Sequence, residues 1–273
     1  MKDDRRVVLI TGASSGIGQA CATYLYQRGY RVFGTSRHPP ISGDVSFEMI
    51  QMDVDSDASV EQGIDFILKR AGRLDIVVNN AGFGIAGSVE DTGIDEAKAQ
   101  FETNFFGVLR VCRAALPIMR QQRSGYIVNV SSLAGQVGIP FQGLYSASKF
   151  AVEGLTEALR TEVRPSGIRV VLIEPGDFHT PFTFHRRKTL QSQENLAYRE
   201  YFDRALGTME ADEMNGPAPE RIARLLKCII ETPSPRLRYT VGPALERIET
   251  ALKKWVPSQL FEWGLAKYYK LPW

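Results

Sequence analysis

Tyr145 and Lys149 stand four positions apart, a spacing that on a helix places both side chains on one face, one turn from each other. A tyrosine hydroxyl titrates at about 10, too high for a base near neutrality, and an ammonium beside it favours the phenolate. Such a pair moves a proton to or from an oxygen. Ser132 follows the strand-like run Tyr126 to Val130, where its hydroxyl can hydrogen-bond a substrate oxygen and stabilise charge developing there. Ser131 is its neighbour and competitor. Asn104 falls inside a long helical pattern, a poor place for asparagine unless its amide satisfies a bend or holds a water. Y-x-x-x-K alone is a pattern that helices produce by chance, so its meaning depends on what surrounds it.

A second chemistry is written in Thr11-Gly12-Ala13-Ser14-Ser15-Gly16-Ile17-Gly18, between the run Val7 to Thr11 and a helical stretch after Gly16. Missing side chains let the backbone N–H groups of such a turn approach a pyrophosphate at the helix N-terminus. The spacing is G-x-x-x-G-x-G, not the general G-x-G-x-x-G. After the next strand come Thr35-Ser36-Arg37. A carboxylate there would bind both ribose hydroxyls and repel a 2′-phosphate. Ser36 and the Arg37 guanidinium instead favour NADP(H), with NAD(H) the second choice. Asp53, with Val54 beside it, follows the third strand and either receives the adenine amino group or makes a turn before Ser56. In Asn79-Asn80-Ala81-Gly82 the amides can fix neighbouring backbone, and Gly82 permits close approach of a cofactor.

Short β-branched runs alternate with longer amphipathic ones, the signature of βαβ units and a parallel sheet. Strands are predicted at Val7 to Thr11, Arg31 to Thr35, Phe47 to Met52, Asp75 to Asn79, Gly125 to Val130 and Arg169 to Glu174. Helices are predicted near Asp57 to Ala71, Asp95 to Gln122 and Tyr145 to Arg164. Ligands of such folds sit at the carboxyl ends of the strands, where the motifs above fall. Beyond Pro175, the polar stretch 180–216 reads as short helices and loops, a candidate substrate lid. A helix from Pro219 to Glu231, a strand Arg238 to Val241 and an amphipathic extension over 244–273 follow, within one domain spanning 1–273.

Over 273 residues, 44% are hydrophobic and 23% charged, enough apolar content for a sizeable core. The net charge of +2 arises without a long basic run, which argues against nucleic acid as a partner. Cys21, Cys112 and Cys228 lack paired spacing, so a reducing compartment is expected. The charged start, without a signal-peptide pattern, points to the cytoplasm. No window is long and apolar enough to span a bilayer, leaving the C-terminal tail as the place for peripheral membrane contact. His179 and His185 form no metal-ligand pattern, and no metal is expected.

Taken together, the Gly12-Gly16-Gly18 turn, Asn79-Asn80-Ala81-Gly82, Asn104, Ser132, Tyr145-x-x-x-Lys149 and Pro175-Gly176 resemble the ordered motif set of short-chain dehydrogenases/reductases. The likeness covers roughly residues 6 to 185. It implies a Rossmann-like, doubly wound sheet of about seven mainly parallel strands and an Asn104-Ser132-Tyr145-Lys149 tetrad. In the family the tyrosine exchanges the alcohol proton while the nicotinamide exchanges hydride, the lysine also binds the nicotinamide ribose, and the asparagine anchors a water relay. The resemblance further implies nicotinamide contacts from Pro175-Gly176 and Thr180, and a homodimer built on the helices around Asn104 and Tyr145. The long segment after Phe182 and the aromatic tail resemble members acting on retinoids and steroids. That implies a hydrophobic alcohol or carbonyl substrate, with Phe141, Leu144, Phe178, Phe182 and Phe184 as candidates for an apolar pocket. Three other readings stand beside it: an NADP(H)-binding sensor without catalysis, a reductase of small polar carbonyls, and a nucleotide-sugar epimerase or dehydratase.

Overall fold

The computed structural model describes residues 5–39 and 45–273. Of the charged start over 1–6 invoked for location, residues 1–4 lie outside the described residues. Seven parallel strands form one sheet: β1 (Val7–Thr11), β2 (Arg31–Ser36), β3 (Glu48–Gln51), β4 (Ile76–Asn79), β6 (Gly125–Val130), β7 (Ile168–Pro175) and β9 (Arg238–Val241), in the order β3-β2-β1-β4-β6-β7-β9. A separate two-stranded ribbon pairs β5 (Ile85–Ala86) with β8 (Arg187–Lys188).

The strands are continuously apolar because both faces are covered. Val8 and Ile10 of β1 point into a layer with α1 (Gly16–Tyr26) and α8 (Glu220–Glu231), through Cys21, Leu25, Ile222, Leu226 and Ile229. Val7 and Leu9 point the other way, onto α2 (Asp57–Ala71), α4 (Gly107–Gln122) and α5 (Gly143–Val163). Helix α2 starts where Ser56 accepts from the Ser59 N–H and ends at Gly72 in the left-handed conformation. The strand order runs outward in both directions from β1 and β4, which opens a crevice at their carboxyl ends.

Two elements depart from the sequence-based expectation. The helix predicted over 95–122 is α3 (Ile94–Phe101), a π turn (Glu102–Phe106) and α4. The extra residue in the turn rotates Asn104 inward, where it is buried. The stretch 180–216 is more regular than loops: after the short α6 (Phe182–His185) and β8, α7 (Arg199–Asn215) runs for 17 residues and buries Phe202, Ala205, Leu206 and Met209. The tail divides into α9 (Ala244–Leu252) and α10 (Ser258–Tyr268). Among the described residues no helix is long and apolar enough to cross a membrane.

Candidate active site

A cleft of about 520 Å³ opens at the carboxyl ends of the strands. Of the residues singled out in the sequence, Gly12, Ser14, Ser15, Gly16, Ile17, Ser36, Arg37, Asp53, Val54, Asn80, Ala81, Gly82, Ser132, Tyr145, Lys149, Pro175, Gly176 and Thr180 border it. Gly18 and Asn104 lie behind its wall.

At one end the chain turns from β1 into α1. Gly12 has φ +66° and Gly16 φ +56°, conformations that cost a side chain dearly. A methyl at Gly18 would sit 2.3 Å from the Gly12 carbonyl oxygen, so the helix can start this close to the strand only with glycine there. The Asn80 amide donates to the carbonyls of Thr11 (2.9 Å) and Gly12 (3.1 Å), and the Thr11 hydroxyl accepts from the N–H groups of Asn80 and Ala81, both at 2.9 Å. No side chain caps α1, which leaves its first N–H groups directed at the cleft. Open donors at a helix N-terminus, over a floor without β-carbons, fit a dinucleotide diphosphate. Thr180 closes the turn from above, 3.5 Å from where a Gly16 β-carbon would stand.

At the adenosine end, the Ser36 hydroxyl accepts from the His38 N–H (3.2 Å), and Arg37 is exposed beside it. Asp53 accepts from the Asp55 N–H at 3.1 Å, so one of its carboxylate oxygens holds a turn. Asp55 also borders the cleft and accepts from the Thr103 hydroxyl at 2.9 Å.

Tyr145 stands in the middle of the cleft on the first turn of α5, its ring 5.8 Å from that of Phe182. Burial pushes its hydroxyl up to about 12, against the opposing pull of a hydrogen bond with Ser132. The expected lowering by Lys149 is not seen: the ammonium is drawn to the Val130 carbonyl (2.9 Å) and lies 5.8 Å from the Tyr145 ring centre. Burial also brings Lys149 down to about 8, with Glu153 one turn further along α5 opposing the fall. Glu153, itself lifted to about 7 chiefly by burial, shares Arg238 with Glu174 on β7, each carboxylate at 3.1 Å.

Ser132 accepts from the Ala134 N–H (3.1 Å), which fixes its hydroxyl at the edge of β6. Asn104 clasps Phe83 from both sides, accepting from its N–H and donating to its carbonyl, each at 3.0 Å, and donates to the Ser148 hydroxyl at 3.1 Å. Asn79 reaches across to Asn129 of β6 (2.8 Å), which donates to Thr156 of α5 (2.9 Å), and so holds the strand ends that carry the site.

Sequence reasoning missed the far end of the cleft. Asp177, Glu213 and Tyr269 border it, with His185, Arg187 and Met209. Asp177 rises to about 8 through burial and the nearby Glu246, Glu213 and Asp212 carboxylates. Glu213 of α7 accepts from the Thr183 hydroxyl (2.6 Å) and from buried Arg186. Of the aromatic residues proposed for an apolar pocket, Phe178 and Phe182 line the cleft. Phe141 instead packs on Phe202 and Tyr198, Phe184 is exposed, and Leu144 is not on the wall. The pocket is therefore mixed, not simply apolar. Asp177, directly after Pro175-Gly176, was accessible to sequence reasoning; Glu213 and Tyr269 reach the cleft only through the packing of distant helices.

Comparison with known proteins matches this architecture. The short chain dehydrogenase family profile covers residues 6–191. A 3-ketodihydrosphingosine reductase of Bacteroides thetaiotaomicron is 42% identical over 267 residues, covering 97% of this chain and 98% of the relative. Retinol dehydrogenase 8 of Bos taurus is 33% identical over 293 residues, covering 96% and 93%. A short-chain dehydrogenase from Streptomyces avermitilis superposes with a TM-score of 0.82 at 34% identity, covering 97% of this chain and 98% of the other. Two structural neighbours at 25% identity were solved with nicotinamide cofactors: a Thermococcus sibiricus alcohol dehydrogenase with 5-hydroxy-NADP (TM-score 0.70, covering 88% and 97%) and a Burkholderia phymatum enzyme with NAD (0.77, 93% and 96%). With its seven-stranded parallel sheet and the profile match over most of its length, this chain belongs to the short-chain dehydrogenase family of nicotinamide-dependent oxidoreductases acting on CH–OH groups.

Proposed function

We propose that the protein is an NADP(H)-dependent reductase of a hydrophobic ketone that carries an amine near the carbonyl. The observation that carries this reading is the composition of one cleft, bordered by an open N–H turn, by Tyr145 hydrogen-bonded with Ser132, and by Asp177 together with Phe178 and Phe182. A nicotinamide cofactor held by the turn of Gly12, Gly16 and Gly18 and by the cleft beyond it would supply hydride chemistry at the carbonyl carbon. Tyr145 gives its proton to the carbonyl oxygen, Ser132 orients that oxygen, and Lys149 holds positive charge beneath it. Asn104 keeps Phe83 and Ser148 in place behind the wall. Arg37 next to Ser36, without a carboxylate at that position, favours the 2′-phosphate of NADP(H).

The substrate class draws on the relative's name as well. A 3-ketodihydrosphingosine is a long alkyl chain with an amine beside its ketone, and the mixed wall offers a carboxyl for the one and aromatic rings for the other. The test is NADPH consumption with a long-chain 2-amino-3-ketone and the same ketone lacking the amine. Wild type should favour the amino ketone, and Asp177→Asn should raise its KM about tenfold or more, leaving the KM for the plain ketone unchanged. Tyr145→Phe should lower kcat about 10²- to 10⁴-fold with cofactor affinity intact. Turnover of Tyr145→Phe near wild type would remove the proton-transfer assignment. Equal use of both ketones would remove the amine. NADH binding as tightly as NADPH would remove the role of Arg37.

A further inference from the structure

We propose that the exposed face of α9 and α10 seats the protein on an anionic lipid surface. Among the described residues, seven of the seventeen exposed large hydrophobic side chains fall in the stretch 245–273: Leu245, Ile248, Leu252, Trp255, Leu260, Trp263 and Trp273. On α9 three of them recur at i, i+3 and i+7 and form one stripe. Trp255, 85% exposed, lies in the connection, and Leu260, Trp263 and Trp273 border one shallow groove. An apolar concentration of this kind marks an interaction surface.

The residues interleaved with it indicate which kind. Lys254, Lys267 and Lys270 are exposed within the same stretch, Lys253 is drawn to the Gln136 carbonyl at 2.6 Å, and Lys267 lies over the Trp263 ring at 5.1 Å. With Arg247 they outnumber Glu246, Glu249 and Glu262, and Glu246 is turned inward to accept from the Asp177 N–H at 3.0 Å. Tryptophan and lysine side by side suit the headgroup region of a bilayer, where the ring has both an apolar and a polar neighbour and the ammonium meets lipid phosphates. The centres of protein interfaces are depleted in lysine, which argues against a second copy of the chain as the occupant. Charge complementarity therefore selects a negatively charged membrane over self-association.

The opposite side of α10 shows what such seating would serve. Leu265, Tyr268 and Tyr269 pack with Ala205 and Met209 of α7, and Tyr269 and Met209 both border the cleft. Tyr269, directly after α10, thus stands on the cleft wall, while the helix itself packs inward on α7 and carries an exposed aromatic surface on its outer side. If the substrate is lipid-like, as proposed above, it has a short path from bilayer to Tyr145; the seating itself does not depend on that reading.

The chain's three tryptophans, Trp255, Trp263 and Trp273, all lie in this stretch, so intrinsic tryptophan emission reports on it alone. The full-length protein would be titrated with vesicles of phosphatidylcholine, with and without phosphatidylglycerol. The expected result is a blue shift with the anionic vesicles, co-sedimentation with them, and release as salt is raised. Trp255→Ala with Trp273→Ala removes exposed rings only, and should cut co-sedimentation about tenfold or more while NADPH binding reports an intact fold. Lys254→Glu with Lys267→Glu should abolish the preference for anionic vesicles. Neither emission shift nor sedimentation with either vesicle would overturn the proposal. So would a blue shift that grows with protein concentration without lipid, together with a doubled mass, because the face would then be covered by a second copy.

Discussion

Lys149 is one of the residues whose charge the fold leaves poised near neutral pH. Burial lowers it to about 8 from 10.5, so it is an ammonium below that pH and neutral above it. Tyr145, lifted to about 12, keeps its proton across the same range. The kcat/KM for ketone reduction should therefore fall as pH rises through about 8, and Lys149→Met should erase that limb along with most of the activity; a flat wild-type profile from pH 6 to 10 would separate Lys149 from the reaction. The sign for stability is opposite to that of a paired lysine. Between about 8 and 10.5 the unfolded chain binds the proton more readily, so this group opposes folding at neutral pH and the penalty fades as pH rises. The tyrosine, lysine and serine were legible in the sequence because each sits at a fixed offset from a strand end or on a helix turn. The direction of the tyrosine's titration was not, because it depends on how deeply α5 buries the ring, and spacing carries no information about depth.

At the scale of elements, strands β1, β2, β3, β4, β6, β7 and β9 could be read to within a residue or two, since β-branched runs bounded by polar residues leave little choice. The π turn was not legible. Its apolar pattern continues through Phe105 and Phe106 without a break, and only the awkward position of Asn104 signalled a bend. The regularity of α7 was hidden for a different reason: its exposed side is rich in Arg, Glu and Asp, which reads as loop until the core it covers is known. That helix is fastened by Arg186, whose side chain is 1% exposed, to Glu213. Glu213→Ala would strand a buried guanidinium and should cost about 3–5 kcal/mol in denaturant unfolding, whereas Arg186→Leu with Glu213→Leu should cost far less. Similar losses for both variants would show that the pair adds net stability beyond mutual compensation.

For the whole molecule, the sheet ties sequence-distant parts together. β9, at 238–241, completes the edge next to β7, α8 packs on α1, and Arg6 donates to the Ile230 carbonyl at 2.8 Å. Nothing in this arrangement separates an early from a late unit, and calorimetry should show one cooperative transition, raised more by NADPH than by NADH. Two resolved transitions would mean that the region after Pro175 folds apart from the sheet. How the distant parts meet was the least legible feature, because a helix such as α10 carries its apolar stripe without naming the surface it covers.

The small β5–β8 ribbon ties down the segment that borders the cleft. Arg187 N–H donates to the Gly84 carbonyl and Thr189 N–H to that of Ala86, at 2.9 and 3.0 Å, which sews the segment to the loop whose Phe83 is gripped by Asn104. A flap hinged at two ends would swing without breaking bonds. This one has a seam, and lifting the segment there would break those hydrogen bonds one after another, a local melting of the ribbon and not a rigid swing.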